Sequence, residues 1–296
     1  MEKNVEFSII IPVLNDYESI KTTIQAIREQ EFEGRFEIIV VDNGSSDGSA
    51  LWLEQQTDIQ FLMQKDYPGS PYSCRNLGID IAKGDYIILL DATCTPSKQW
   101  LESGRKYIKE TSSLLFGGGV KFNYCGKVTA GKIFDSVTNV QMKLSIEKKQ
   151  QAKTANLWVH KVLFEKFGKF RDGVRSGEDV RWTSHCTANG QPISYCEEAK
   201  VLKLARGATA LFIKQVRVGK GQVGIWNTQG KTSANLLRSF KLLKPMRKST
   251  LDSLVQRCED FHIAGWMYFK VYCVSYFSGL ATLFGNFIGL LKWRKS

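Results

Sequence analysis

The sequence predicts an α/β chain: a doubly wound, mostly parallel sheet followed by a C-terminal basic and hydrophobic helical appendage. Three observations carry this. Apolar runs at 7–13, 36–41 and 86–90 lack strict alternation, as strands covered on both faces do. Helical patterns separate those runs, which argues for right-handed crossovers within one sheet. Beyond residue 225 the composition turns basic, aromatic and leucine-rich.

The first strand runs into Pro12-Val13-Leu14-Asn15-Asp16, and the second into Val41-Asp42-Asn43-Gly44-Ser45-Ser46-Asp47. Between them Ile20, Ile24 and Ile27 recur at helical spacing. Two such strands, each ending in a carboxylate-bearing turn, form a βαβ unit that takes a small ligand at its strand ends. A later helix over 72–82 carries Leu77, Ile81 and Ala82, and the strand at 86–90 ends in Asp91-Ala92-Thr93. Residues 114–120, Leu-Leu-Phe-Gly-Gly-Gly-Val, read as a further strand whose glycines permit close backbone approach. Residues 141–153 are polar and read as an exposed loop or helix suited to a mobile lid.

A chain of 296 residues fits one large domain with an appendage as well as two domains; the expected division is 1–225 and 226–296. An apolar content of 43% excludes a disordered or fibrous chain. Charge is unevenly spread: residues 1–199 hold 24 Lys and Arg against 26 Asp and Glu, whereas residues 200–296 hold 17 against 3. A basic tail behind a near-neutral body meets a polyanion, nucleic acid or an anionic membrane. The basic residues alternate with Leu and Phe (Leu236, Leu237, Arg238, Phe240, Lys241, Leu242, Leu243, Lys244), which favours the membrane and excludes nucleic acid as the expected partner. The seven cysteines are scattered and odd in number, the pattern of reduced thiols. No signal peptide is expected at the start, where Ile9-Ile10-Ile11 sits in a short run behind Glu2, Lys3 and Glu6.

Residues 271–291 hold 21 positions without a charge, about 30 Å as a helix and enough to cross a bilayer. Gly279, Gly285, Gly289, Ser275, Ser278, Thr282 and Asn286 dilute that stretch, and both flanks are basic. Three readings follow: a re-entrant or in-plane segment, a true span, or a soluble buried hairpin.

Cys74-Arg75-Asn76-Leu77-Gly78, Asp91-Ala92-Thr93, and Phe167-Gly168-Lys169-Phe170-Arg171 followed by Ser176-Gly177-Glu178-Asp179 add to the two strand-end turns. Together, over roughly residues 5–225, they resemble the nucleotide-sugar-dependent, inverting glycosyltransferases of family 2, of GT-A type. The resemblance implies a donor site at Pro12, Asn15, Asp42, Arg75, Asp91 and Thr93. In it Asp42 accepts the imide N–H of a uracil-like base, Arg75 lies against the nucleotide, and Asp91 lies near the ribose, the pyrophosphate or its metal. Asp179 is implied to be the base that takes the acceptor proton, and Glu178 to orient it or the acceptor. Asn156, after Thr154 and Ala155, falls where the family touches sugar or acceptor. A turn-forming Asp42 and an acid pair that merely stabilises a helix start are the bland alternatives.

Two departures bear on the metal. Thr93 stands where the family has the second carboxylate of Asp-x-Asp, and Lys203, with Arg206 close behind, stands near the place of a frequent histidine. Mg²⁺ or Mn²⁺ at Asp91 therefore loses an anionic ligand, because a hydroxyl brings no charge to offset dehydration of the ion. Lys203 and Arg206 are expected to neutralise the leaving pyrophosphate instead, or else to belong to the lipid-facing charge. The implied partners are a nucleotide sugar, a lipid-linked or saccharide acceptor of surface polysaccharide or glycolipid synthesis, and an anionic membrane at its cytoplasmic face, bound peripherally or re-entrantly. The rival reading is a non-catalytic nucleotide-sugar-binding relative in a polysaccharide assembly complex.

Other signals are discounted. Gly219–Gly224 matches G-x-G-x-x-G, but the next acidic residue is Asp252, too far on for a dinucleotide fingerprint. His160, His185 and His262 have no metal-ligand spacing. Gln215-Val216-Arg217 with Lys220 faces either product phosphates or lipid headgroups.

Overall fold

The computed structural model describes residues 5–228, 230, 232–256, 263 and 265–293. In chain order the elements begin β1 (Phe7–Val13), α1 (Tyr17–Arg28), β2 (Phe36–Asp42), α2 (Ser49–Glu54), β3 (Gln60–Met63), α3 (Pro71–Ile81) and β4 (Tyr86–Leu90). There follow β5 (Cys94–Pro96), α4 (Trp100–Thr111), β6 (Leu115–Asn123), α5 (Ala130–Thr138), α6 (Met142–Lys149), β7 (Asn156–His160) and α7 (Val162–Phe167). The chain continues through α8 (Glu178–Ala188), β8 (Ser194–Leu204), α9 (Ala208–Thr228), α10 (Thr232–Ser239), α11 (Lys248–Val255) and α12 (Gly265–Trp293). A 3-10 turn at Phe240–Leu243 separates α10 from α11.

The strands form one sheet in the order β3-β2-β1-β4-β7-β6-β8-β5. Its first half is the expected parallel unit: β1 pairs with β2 and β4, and β2 with β3. The second half was not anticipated; β7 pairs antiparallel with β4 and β6, and β5 antiparallel with β8. Consecutive Ile9, Ile10, Ile11, Ile39, Val40, Val41, Ile88 and Leu89 are wholly buried, which explains the missing alternation in the sequence. The 141–153 stretch, expected as loop or helix, contains the short helix α6.

Two compact units emerge. The first comprises residues 1–121, 140–174 and 178–203; the second comprises 122–139, 175–177 and 204–296. In the first, Trp158 of β7 packs on Phe7, Trp100 and Phe116, and its indole N–H donates to Asn156. The glycines of β6 serve the expected close approach: a Cβ on Gly118 would collide with the Asn156 amide and the Ala199 carbonyl.

The second unit is helical. Ala130, Ile133 and Phe134 of α5 share a core with Leu211, Leu251, Ile263 and Val271. Helices α9 and α12 run side by side in the same direction, with Phe212 against Phe277 and the Thr282 hydroxyl donating to Gln215 Oε1 at 3.2 Å. A Cβ on Gly219 would meet the Thr282 carbonyl, one on Gly285 the Val216 carbonyl, and one on Gly289 the Lys220 carbonyl. Gly285 and Gly289, which dilute the apolar stretch, therefore belong to its packing seam with α9, whereas Gly279 faces Leu242; backbones approach this closely only where side chains are absent. Gly219–Gly224 lies inside α9 and supplies one side of that seam. The helix α9 is unbroken at 225/226, where the composition changes.

The helix α12 is long and apolar enough to cross a bilayer. Its buried side is Val271, Ser275, Ser278, Leu283 and Asn286, and its exposed side is a stripe of Trp266, Phe269, Phe277, Phe284, Phe287 and Leu291.

Candidate active site

The helix α3 organises the site. Ser70 is its N-cap, its hydroxyl accepting from the Ser73 backbone N–H, and Pro71 opens the first turn, where no N–H is needed. One face holds the loop after α7: Ser70 Oγ donates to the Val174 carbonyl at 2.6 Å, Ser73 Oγ accepts from Gly173 at 2.9 Å, and Asn76 donates to the Phe170 carbonyl at 2.8 Å. Tyr72 and Arg75, three residues apart, share a neighbouring face and point to the two carboxylate centres.

At the end of β2 the Asp42 side chain is wholly buried. Its Oδ1 accepts from the backbone N–H groups of Gly44 and Ser45, both at 2.8 Å. That turn requires the left-handed backbone of Gly44, φ 90°. Oδ2 is buried without a hydrogen-bond partner, an acceptor that no protein group satisfies. Asn15 stitches this turn to the end of β1: its N–H donates to Ser45 Oγ at 2.9 Å and its Oδ1 accepts from Ser46 at 2.7 Å. Pro12 lies beside Val41 in the same register, one step before the pair Val13 and Asp42.

At the end of β4 the geometry is different. Asp91 Oδ1 is 2.8 Å from Arg75 Nη2, and Asp91 Oδ2 is 2.9 Å from Lys203 Nζ. The same ammonium donates to Thr93 Oγ1 at 2.9 Å and approaches Cys94 Sγ at 3.5 Å. Thr23 of α1 clamps the turn, donating to the Ala92 carbonyl at 2.8 Å. Lys203 arrives through strand pairing, since β8 runs antiparallel to β5 with Lys203 opposite Cys94. Both cations are buried, with side chains 3% (Arg75) and 1% (Lys203) exposed. Burial pushes the neighbouring Cys74 thiol up to about 12, against the lowering by Arg75, so it is a neutral packing group.

At the start of α8, Glu178 and Asp179 have separate tasks. Glu178 is wholly buried and its oxygens are taken by Arg171 and Arg181, the Arg171 Nη2 contact being 2.9 Å. Burial alone would raise its carboxyl; hydrogen bonds from Arg181 and Arg171 outweigh that and hold it below the ordinary value. Asp179 Oδ1 accepts from the Tyr72 hydroxyl at 2.9 Å, while Oδ2 has a long 3.5 Å contact from the Thr154 N–H. Burial, reinforced by the Asp179 charge, pushes the Tyr72 hydroxyl well above its usual range, so it remains the donor. The Arg75 guanidinium lies 5.6 Å from the Tyr72 ring.

Asp42, Arg75, Asp91, Thr93, Lys203, Glu178 and Asp179 thus share the first unit. Two further candidates have other surroundings. Asn156 is wholly buried; its Oδ1 accepts from the Trp100 and Trp158 indoles and its Nδ2 donates to the Gly119 and Ala199 carbonyls. Its amide holds β6, β7 and β8 together. Arg206 lies in the second unit, where its backbone N–H donates to Asp135 at 3.0 Å and its guanidinium is 3.6 Å from the same carboxylate. Tyr72 was missed by sequence reasoning, although its i,i+3 spacing to Arg75 placed it on the same face. Lys203 occupies an inward phase of the alternating β8 pattern, a signal for a buried charge.

A family model described as Glycosyl transferase family 2 matches residues 8–166. Glycosyltransferase AglE of Haloferax volcanii is 39% identical over 224 residues, covering 74% of this chain and 73% of that protein. Staphylococcus aureus TarS 1–349, solved in complex with UDP, superposes with a TM-score of 0.56 at 16% identity, over 98% of this chain and 92% of that one. The mannosyltransferase PcManGT from Pyrobaculum calidifontis, solved with GDP-Man and Mn²⁺, gives 0.55 at 14% identity, over 100% and 76%. At these identities the structures share the fold.

The residues present do not fit a divalent ion. Among the described residues no three His, Cys, Asp or Glu side chains converge as a metal site. Asp91 faces a cation with each of its oxygens, and Thr93 supplies no charge.

Proposed function

The chain belongs to glycosyl transferase family 2, and from that premise we propose that it moves a sugar, with inversion, from a nucleotide diphosphate to an acceptor hydroxyl. The observation that carries the donor site is the orphaned, buried Asp42 Oδ2. An imide N–H of a uracil-type base satisfies it, whereas a base held with acceptor atoms toward Asp42 leaves it desolvated and unpaired. Arg75, whose Nε is also buried without a partner, suits a phosphate or ribose oxygen beside Asp91.

On this reading Asp179 is the base. The acceptor oxygen bonds to the anomeric carbon while the bond from that carbon to the β-phosphate oxygen breaks. The electron pair leaves with the nucleoside diphosphate, and the hydroxyl proton passes to Asp179. Tyr72 and the Thr154 N–H hold that carboxylate in place. Glu178, bound between two arginines, is a positioning residue that fixes the start of α8.

The acceptor is proposed to be a lipid-linked saccharide, taken at the cytoplasmic membrane face. The support is the aromatic stripe of α12, together with exposed Leu237, Phe240 and Leu243 among basic residues. In-plane seating is the better of the three readings. A spanning α12 would carry its neighbour α9, with Lys214, Arg217 and Lys220, to the same depth, at about 2.5–3.5 kcal/mol for each charge near the bilayer centre.

The test is thermal stabilisation of the full chain by UDP, GDP, dTDP and CMP, with turnover of Asp179→Asn. Stabilisation by UDP or dTDP above GDP and CMP is expected. Asp179→Asn is expected to bind nucleotide as the parent does while losing about 10²–10⁴ in rate. A folded chain that none of the four stabilises refutes the donor site.

A further inference from the structure

Resting on that donor-site reading, we propose that the Lys203 ammonium is a built-in substitute for the divalent cation, so that this chain holds its donor diphosphate without a metal ion.

The argument starts from charge balance. The family pattern sets two carboxylates against one dication. Here one carboxylate is replaced by Thr93, and the cation opposite Asp91 carries one charge instead of two. The two departures compensate each other: Asp91 with Lys203 is neutral, as two aspartates with a dication are. Arg75 is left over in both arrangements as net positive charge for the diphosphate. Losing the second carboxylate while keeping a dication would leave a further surplus positive charge beside the buried Arg75, which is costly.

Geometry agrees. Oxygen ligands hold Mg²⁺ at about 2.0–2.1 Å, but Asp91 Oδ2 and Thr93 Oγ1 each meet Nζ at 2.9 Å. An ion bound there would stand against the ammonium, and like charges at that separation repel. Lys203 cannot simply withdraw, because its side chain is 1% exposed and its backbone is fixed by the β5–β8 register. Leaving Asp91 would take the buried ammonium from its carboxylate counter-charge. An ammonium that already sits at Asp91 also needs no ordering when the donor binds, and its hydrogen bonds can pass to a phosphate oxygen as negative charge gathers on the leaving group.

The experiment measures UDP and GDP binding to the full chain by calorimetry, in EDTA and in Mn²⁺. The parent is expected to bind its preferred nucleotide in EDTA within about twofold of its affinity in Mn²⁺. The double variant Thr93→Asp/Lys203→His, which restores a second carboxylate and a metal-binding imidazole, is expected to bind at least about tenfold more tightly in Mn²⁺ than in EDTA, the value of one charge-assisted contact. Parent binding that disappears in EDTA and returns with Mn²⁺ overturns the proposal, and that measurement needs no variant to fold. Absence of binding by both nucleotides in both buffers, from protein with native circular dichroism, overturns the donor-site reading and this inference with it. Metal-independent binding of the double variant refutes the exchange of lysine for metal while leaving the donor site standing.

Discussion

The turns after β2 and β4 lie on either side of β1, and each is built on a strand-end aspartate, yet they are opposite in electrical design. Asp42 spends one oxygen on its own turn and leaves the other unpaired. Asp91 has a cation on each oxygen. An unpaired acceptor selects a neutral donor by the desolvation it would otherwise suffer. A carboxylate between two cations keeps positive charge poised for an anion. The same contrast recurs within one helical turn, where Glu178 is saturated by arginines and Asp179 Oδ1 accepts from neutral donors, the Tyr72 hydroxyl and the Val180 N–H.

Four substitutions test that contrast. The largest effect is expected for Asp91→Asn, which strips the counter-charge from buried Arg75 and Lys203; a loss of about 3–5 kcal/mol in urea unfolding is expected. A loss under 1 kcal/mol would show that the cations have other adequate partners. Glu178→Gln is expected to cost about 1.5–3 kcal/mol at neutral pH, since its arginines stay partly solvated. The Glu178 carboxyl is held below its ordinary value of 4.5, so its contribution is complete above that pH and fades as pH falls through the lower folded value. The gap between parent and Glu178→Gln should therefore narrow below pH 4.5; a constant gap would refute the ion pairing.

Asp42→Asn should fold almost as the parent does, because the amide oxygen can still accept from Gly44 and Ser45. It is expected to lose about 1.5–3 kcal/mol of nucleotide affinity, measured by calorimetry, since an N–H group would then confront the base. Unchanged affinity would remove the selective role of Oδ2. The smallest effect is expected away from these charges: Gly285→Ala should destabilise the helical unit by about 1–3 kcal/mol through overpacking on Val216, with nucleotide binding preserved. Loss of binding there would contradict the assignment of donor handling to the first unit.

What the sequence determined by itself is local. Unbroken apolar runs mark strands covered on both faces, and β1 and β4 match their expected bounds residue for residue. Asp-Asn-Gly-Ser marks the strand-end turn, and Ser-Pro marks the start of α3, because backbone preference and capping act within a few residues. The tertiary structure decided everything that depends on distant pairing. Lys203 reaches Asp91 across 112 residues only through the β5–β8 register, and Tyr72 reaches Asp179 across 107. Asn156 became a core tie because three strands converge on it. Gly285 and Gly289 of α12 became a seam because α9 lies against them. Such contacts carry no short-range periodicity; they exist only when the folded chain brings remote charges and small side chains to van der Waals or hydrogen-bond range.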